Sequence, residues 1–125
     1  MSFDAVGIIC KDIQKSIEFY KILGVGFQQE GGPGHYEFKT SSGVRLMLDS
    51  VELTKQLNPN WKEPVGSGIV LCFKQESPKL VDELFNKVSE AGNRIIKEPW
   101  DAFWGQRYAS VQDPDGNQID LFATL

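Results

Sequence analysis

"SVQDPDGNQIDLF", Ser110 to Phe122, joins two runs of alternating side chains through the acidic tip Asp113-Pro114-Asp115-Gly116. Proline presets its own φ, aspartate side chains bond nearby amides and glycine accepts a positive φ, so the tip reads as a hairpin turn exposed to water, not as a calcium or catalytic site. The run beyond it carries a single carboxylate, Asp120, among apolar neighbours. Sliding the chain over itself by 73 residues lays "FKTSSGVRLML" on "VQDPDGNQIDL", with Phe38 on Val111, Gly43 on Gly116, Leu46 on Ile119 and Leu48 on Leu121. Met47 then falls on Asp120. Identities are few, so the repeat rests on pattern more than on letters.

The earlier parts of each half align as well. At an offset of 63, Ile8 falls on Leu71 and Cys10 on Phe73, and Gly24 and Gly92 each follow a helical stretch. Phe3 to Cys10 reads as a strand. Asp12 is a helix N-cap, Ile13, Ile17, Tyr20 and Leu23 recur at helical spacing, and Gly24 is the stop. After "VGFQQE" and the loop "GGPG", the runs "HYEFKT" and "VRLMLD" flank the turn "SSG" as a hairpin. Residues 50–66 hold two prolines and break both periodicities, which predicts a connection with one helical turn at its start. The order then returns. "GIVLCF" is a strand, and "SPKLVDELFNKVSEAG" is a helix with Ser77 as N-cap, Pro78 at its first position, a stripe of Leu80, Leu84, Val88 and Ala91, and Gly92 as cap. "RIIKE", a long aromatic loop "PWDAFW" and the terminal hairpin complete it. The reading is α+β: two βαβββ modules, at about 1–50 and 67–125, joined through 51–66 within one domain spanning 1–125.

Thirteen basic residues against 17 acidic leave a net charge of -4, with no clustered Lys/Arg run to neutralise phosphates, so nucleic acid is not expected as a partner. Cys10 and Cys72 lie in separate apolar runs and form no CxxC pair, which reads as two buried reduced thiols. The start "MSFDAVGIICKD" lacks a basic stretch followed by a long apolar one, and no segment reaches the ~18 apolar residues of a membrane span. A soluble, untargeted, cytoplasmic protein is expected.

The stretches "KDIQKSIEFYKILG" and "WGQRYASVQDPDGNQIDLF", set in two βαβββ modules, resemble the vicinal oxygen chelate superfamily, which includes glyoxalase I, extradiol dioxygenases and the bleomycin and fosfomycin resistance proteins. The resemblance covers nearly the whole chain. It implies that the modules form a cupped mixed β-sheet with the helices on its outer face. Strand alternation then sends Ile119, Leu121, Leu46 and Leu48 to the helices. On the concave side stand Gln118, Asp120 and Phe122, then Arg45, Met47 and Asp49, and then His35, Glu37, Tyr108 and Ser110. From the first strand of each module come Ala5, Gly7 and Ile9, and Gly68, Val70 and Cys72.

Metal-dependent members of the superfamily hold their ion at four positions that read here Ala5, Met47, Gly68 and Asp120. One carboxylate cannot replace three or four nitrogen or oxygen ligands, so no metal and no other cofactor is expected. A site made of His35, Glu37 and Asp120 would require the modules to bring them together. Trp100, Phe103 and Trp104 would expose much apolar area in a loop unless they covered a ligand, a partner subunit or the sheet's own edge, and Trp61 in the connection is placed to join them. Asp120, once desolvated, needs a basic partner or a cationic ligand. Arg45 is placed for the first role, and Arg107 falls on the helix side or edge.

The leading expectation follows the bleomycin-resistance type: a metal-free protein that sequesters an aromatic or cationic molecule in a dimer-interface pocket. His35, Glu37, Arg45, Met47, Trp61, Trp100, Phe103, Trp104, Tyr108, Asp120 and Phe122 are the candidate ligand contacts. The alternatives are a lyase, isomerase or dioxygenase with an unorthodox site, using His35, Glu37 or Asp120 as general base, and a non-catalytic interaction module.

Overall fold

In chain order the elements are β1 (Ala5–Cys10), α1 (Ile13–Ile22), β2 (Gln28–Gln29), β3 (His35–Lys39), β4 (Arg45–Ser50), α2 (Val51–Leu57), β5 (Val70–Lys74), α3 (Pro78–Glu90), β6 (Ile95–Ala102), β7 (Gln106–Gln112) and β8 (Gln118–Thr124). The computed structural model describes residues 1–66 and 68–125, so Ser67, the expected first residue of the second module, lies outside the described residues. Two compact units result, Met1–Glu63 and Pro64–Leu125. Each holds a four-stranded mixed sheet, ordered β1-β4-β3-β2 in the first and β5-β8-β7-β6 in the second. In both, the first strand pairs parallel with the last and the others pair antiparallel, which gives α+β with one βαβββ module per unit.

In unit 1 the Asp12 side chain accepts the Lys15 amide at 3.2 Å and sets the start of α1. The helix ends where Gly24 turns at φ 85°, a conformation that costs glycine least. Its buried residues are Ser16, Phe19 and Tyr20. Tyr20 meets Phe19 and Phe27 edge-on, with ring centroids 5.1 and 5.7 Å apart, beside buried Leu46 and Leu48. The expected stripe of Ile13, Ile17, Tyr20 and Leu23 is therefore rotated, with only Tyr20 fully buried. Ser16 is small enough to let the helix approach, and the large ring of Phe19 takes the core position. The connection is more ordered than one turn, because the Ser50 side chain caps α2 by accepting the Leu53 amide at 3.1 Å. The first strand starts at Ala5, leaving Phe3 exposed.

In unit 2, Ser77 caps α3 and Pro78 opens it. The helix buries Val81, Phe85 and Val88 over a sheet whose Val111, Ile119 and Leu121 are fully buried. Side chains of this size contribute roughly 1.5–3 kcal/mol each on full burial. The predicted stripe holds at Val88 and is one residue off before it: Val81 and Phe85 are buried where Leu80 and Leu84 are half-buried, and Ala91 is exposed. A second difference concerns "PWDAFW". Pro99 to Ala102 belong to β6, and only Phe103, Trp104 and Gly105 form the turn. The strand absorbs Pro99 because β6 is the edge of its sheet and its register shifts between Lys97 and Trp100.

The opening hairpin tip is also not wholly wet. Asp113 is 4 % exposed, and its carboxylate accepts the amides of Asp115 and Asn117 at 2.9 Å and the Asn117 side chain at 2.8 Å. Gly116 supplies the positive φ, 87°. Its role is architectural, as the sequence indicates, but the first aspartate works from inside.

Candidate functional site

Each sheet has one face against its helix and one face without it, and the candidate residues lie on the second kind. In unit 2, Ser110 and Cys72 flank Asp120 across the strands, and Tyr108 flanks Phe122. Asp120 is 6 % exposed. Its Oδ2 accepts the Tyr108 hydroxyl at 2.6 Å, and its Oδ1 accepts the Ser110 hydroxyl at 2.7 Å and the Gln118 amide at 3.0 Å. All three donors are neutral. Among the described residues no Lys or Arg stands within ion-pair distance of this carboxylate. Arg45, the expected partner, is committed to Glu37 and Asp4. Asp120 is satisfied by hydroxyl and amide groups because its own strand pair supplies them at the right register.

Those contacts also fix the chemistry of their neighbours. Burial, and then the hydrogen bond to Asp120, push the Tyr108 phenol well above its ordinary value. The Cys72 thiol is pushed up by partial desolvation of its sulfur and by the Asp120 charge, and the nearby Tyr108 opposes the rise. Tyr108 therefore stays a phenol and Cys72 a thiol at neutral pH, which disfavours either as a nucleophile. Cys72 is exposed, contrary to the buried thiol expected, because β5 is an edge strand and alternation turns the side chain to the open face; Cys10 is fully buried, its thiol donating to the Ile8 carbonyl at 3.6 Å.

An aromatic wall adjoins the carboxylate. Trp104 meets Trp100, Phe103 and Tyr108 edge-on at 5.5, 4.9 and 5.4 Å, and Tyr108 stacks on Phe122 at 5.9 Å. The Trp104 indole N–H is held by Gln106 Oε1 at 2.8 Å, and the Lys97 ammonium sits 4.8 Å from the centre of the Trp100 ring. Arg107 leaves this face, as alternation predicts, and bonds Asp82 of α3 through two nitrogens at 2.9 and 3.2 Å.

In unit 1 the corresponding face carries charge. His35 Nδ1 lies 2.5 Å from Asp49 and its Nε2 2.7 Å from Glu37, and Arg45 bonds Glu37 at 2.5 Å and Asp4 at 2.6 Å. Hydrogen bonds to Asp49 and then Glu37 raise the His35 pKa, holding the ring as an imidazolium between two carboxylates. Glu37 is lowered by His35 and then by Arg45. Met47 stands opposite Gly7 within this ladder. A fully engaged imidazolium is a poor general base. Trp61, half-buried in the segment after α2, belongs to unit 1, whereas the aromatic wall is built from unit 2 alone. Sequence reasoning put Asp49 and Ser110 on these faces but missed Asp4 and Gln118 as partners of Arg45 and Asp120; the register of β1 on β4 is the signal that finds Asp4, and the two-residue spacing along β8 finds Gln118.

The family model for the glyoxalase/bleomycin resistance protein/dioxygenase superfamily matches residues 2–121. The chain belongs to this superfamily. Among solved structures, it is similar to a glyoxalase/bleomycin resistance protein/dioxygenase family enzyme from Burkholderia phytofirmans PsJN, at 22 % identity over 100 % of both chains and a TM-score of 0.86. A glyoxalase-related enzyme from Fulvimarina pelagi shares 18 % identity over 98 % of this chain and 88 % of that one, with a TM-score of 0.84. A lactoylglutathione lyase from Agrobacterium tumefaciens shares 16 % over 98 % and 92 %, with a TM-score of 0.70. At these identities the likeness shows the fold. No curated protein matches the sequence.

The metal of the superfamily's metal-dependent members does not fit the residues here. In unit 1 the marked positions carry the methyl of Ala5 and the thioether of Met47. In unit 2 they carry Gly68 and Asp120, whose oxygens already take three hydrogen bonds. A thioether and one engaged carboxylate are a poor donor set for a hard or borderline cation.

Proposed function

We propose that this superfamily member is a binding protein that sequesters a planar aromatic molecule without metal or other cofactor, in the manner of the bleomycin-resistance type. One observation carries the reading: the wall of Trp100, Trp104, Tyr108 and Phe122 stands beside a buried carboxylate, and Trp104 is still 48 % exposed. Stacking surfaces of this kind gain energy from both area and ring geometry. Phe103 at the turn, 91 % exposed, extends the wall outward.

The protein works as a cytoplasmic homodimer in this reading, with the ligand pocket at the dimer interface. Support comes from Ile69, 70 % exposed, and Val70, 40 % exposed, which with Phe103 leave apolar surface that monomers seldom keep bare. The net charge of -4 speaks against nucleic acid, and no helix among the described residues is long and apolar enough to cross a membrane.

Titrating tryptophan fluorescence with bleomycin-like and mitomycin-like compounds tests the binding; a saturable change is expected, and cells expressing the protein should tolerate the bound compound better. Sedimentation should give twice the chain mass. Stoichiometric zinc, nickel, manganese or iron in the purified protein, lost on Asp120→Ala, would overturn the metal-free reading in favour of a lyase or dioxygenase. No optical response and no change in susceptibility would leave an interaction module.

A further inference from the structure

Asp120 is a buried carboxylate held by three neutral donors. Its Oδ1 accepts two hydrogen bonds and its Oδ2 accepts one, from Tyr108. A carboxylate oxygen can accept two hydrogen bonds, so Oδ2 has the capacity for a second donor beside Tyr108. Cys72 stands opposite Asp120 in the register of β5 on β8, and the Asp120 charge helps to raise its thiol. The same Tyr108 ring stacks on Phe122 and abuts Trp104. The carboxylate and the stacking surface therefore meet at Tyr108.

Charge is the second half of the argument. Asp120 has no cationic partner among its contacts, and three neutral donors spread a negative charge without cancelling it. Among the described residues, the basic groups on this side make no ion pair with it: Lys97 sits on the Trp100 ring, and Lys74 stands in register with Phe122. The Lys97 contact also shows that an aromatic face in this wall accepts a cation.

We infer that the aromatic site is specific for planar heteroaromatic cations, with an edge N–H donating to Asp120 Oδ2 while the ring lies along Tyr108 and Phe122. Asp120 is a specificity-determining residue, and Tyr108 positions it. This rests on the sequestration reading and adds the charge and the donor that the ligand must carry. Neutral rings of the same shape gain the stacking alone, and anionic ones face Asp120 directly.

The experiment uses three probes of one ring system: aminoacridinium, acridone and acridine carboxylate. Binding to the intact protein is followed by tryptophan quenching at neutral pH. Aminoacridinium should bind about ten-fold or more tighter than acridone, as charged hydrogen bonds do, and the carboxylate weakest. Asp120→Asn should reduce the preference for the cation to near unity while acridone binding persists, and Trp104→Ala should weaken all three probes and keep their order. Cys72 gives a second readout, independent of any variant. Aminoacridinium should slow its alkylation by iodoacetamide, with buried Cys10 as internal reference. Equal binding of the three probes to the unaltered protein sinks the inference and leaves sequestration standing. Aminoacridinium that binds without protecting Cys72 sinks the placement at Asp120. Failure of every probe to bind removes the sequestration reading, and this inference with it.

Discussion

The two units share one arrangement of strands and put opposite chemistry on it. At the centre of the helix-free face, unit 1 carries Met47 and unit 2 carries Asp120. Around Met47 stand charged groups that satisfy one another, from Asp49 through His35, Glu37 and Arg45 to Asp4. Around Asp120 stand neutral donors and aromatic rings. The charges around Met47 are paired with one another, whereas Asp120 has no opposite charge within ion-pair distance among the described residues. Closed ion-pair networks gain little by exchanging a partner for a ligand, so the proposed recognition is assigned to the uncompensated group.

The largest expected effect comes from emptying the two centres. Asp120→Ala strands three donors, one on buried Ser110 and two on half-buried Tyr108 and Gln118, and should cost about 2–3 kcal/mol in urea denaturation. Met47→Ala, on a half-buried side chain, should cost about 1 kcal/mol. Equal costs would erase the distinction between the faces. Next, Arg107→Ala removes the two-nitrogen bond that ties β7 to α3. It should destabilise by about 1 kcal/mol, since the pair is part-buried and well aligned. Its effect on aminoacridinium binding should be small, because Arg107 faces the helix; a ten-fold loss would mean that the sidedness assigned to unit 2 is wrong.

The smallest effect is a pH dependence confined to unit 1. The folded His35 pKa lies above its ordinary value of 6.5, so its contribution is fully present below pH 6.5 and is lost as pH rises through the raised value. Glu37 lies below its ordinary value of 4.5, so its share is present above that pH and lost on further acidification. The melting temperature of the unaltered protein should therefore exceed that of His35→Gln most between these two limits, with the gap closing in mild alkali. A gap that widened with pH would reverse the assignment of an imidazolium. Ligand binding in unit 2 should follow no such profile.

Much of the fold was legible because its signals are local. Asp12, Ser77, Pro78, Gly24 and Gly92 mark helix ends by their own backbone chemistry, and alternation assigned Leu46, Leu48, Ile119 and Leu121 to the buried side. Helix rotation was less legible. Spacing favoured Leu80 and Leu84, but Val81 and Phe85 are equally periodic, and only the sheet beneath decides between adjacent stripes. The aromatic segment misled for a related reason: Pro99 ends a strand in isolation but is accommodated at an edge with a register shift. At the site, alternation placed Asp120, Tyr108 and Phe122 on one face. Its partners were not legible, because Arg45 and the three neutral donors are all compatible with a pattern, and distance chooses between them.

The register shift in β6 bears on self-association. An edge strand with free backbone groups is a template on which further chains stack, and at β6 that template is interrupted by Pro99, which offers no N–H, and by exposed Lys97 and Glu98. The strand that brings Trp100 to the aromatic wall is thus also a poor seed for fibril growth. An apolar binding surface can remain open on this unit without its sheet edge recruiting other copies into aggregates.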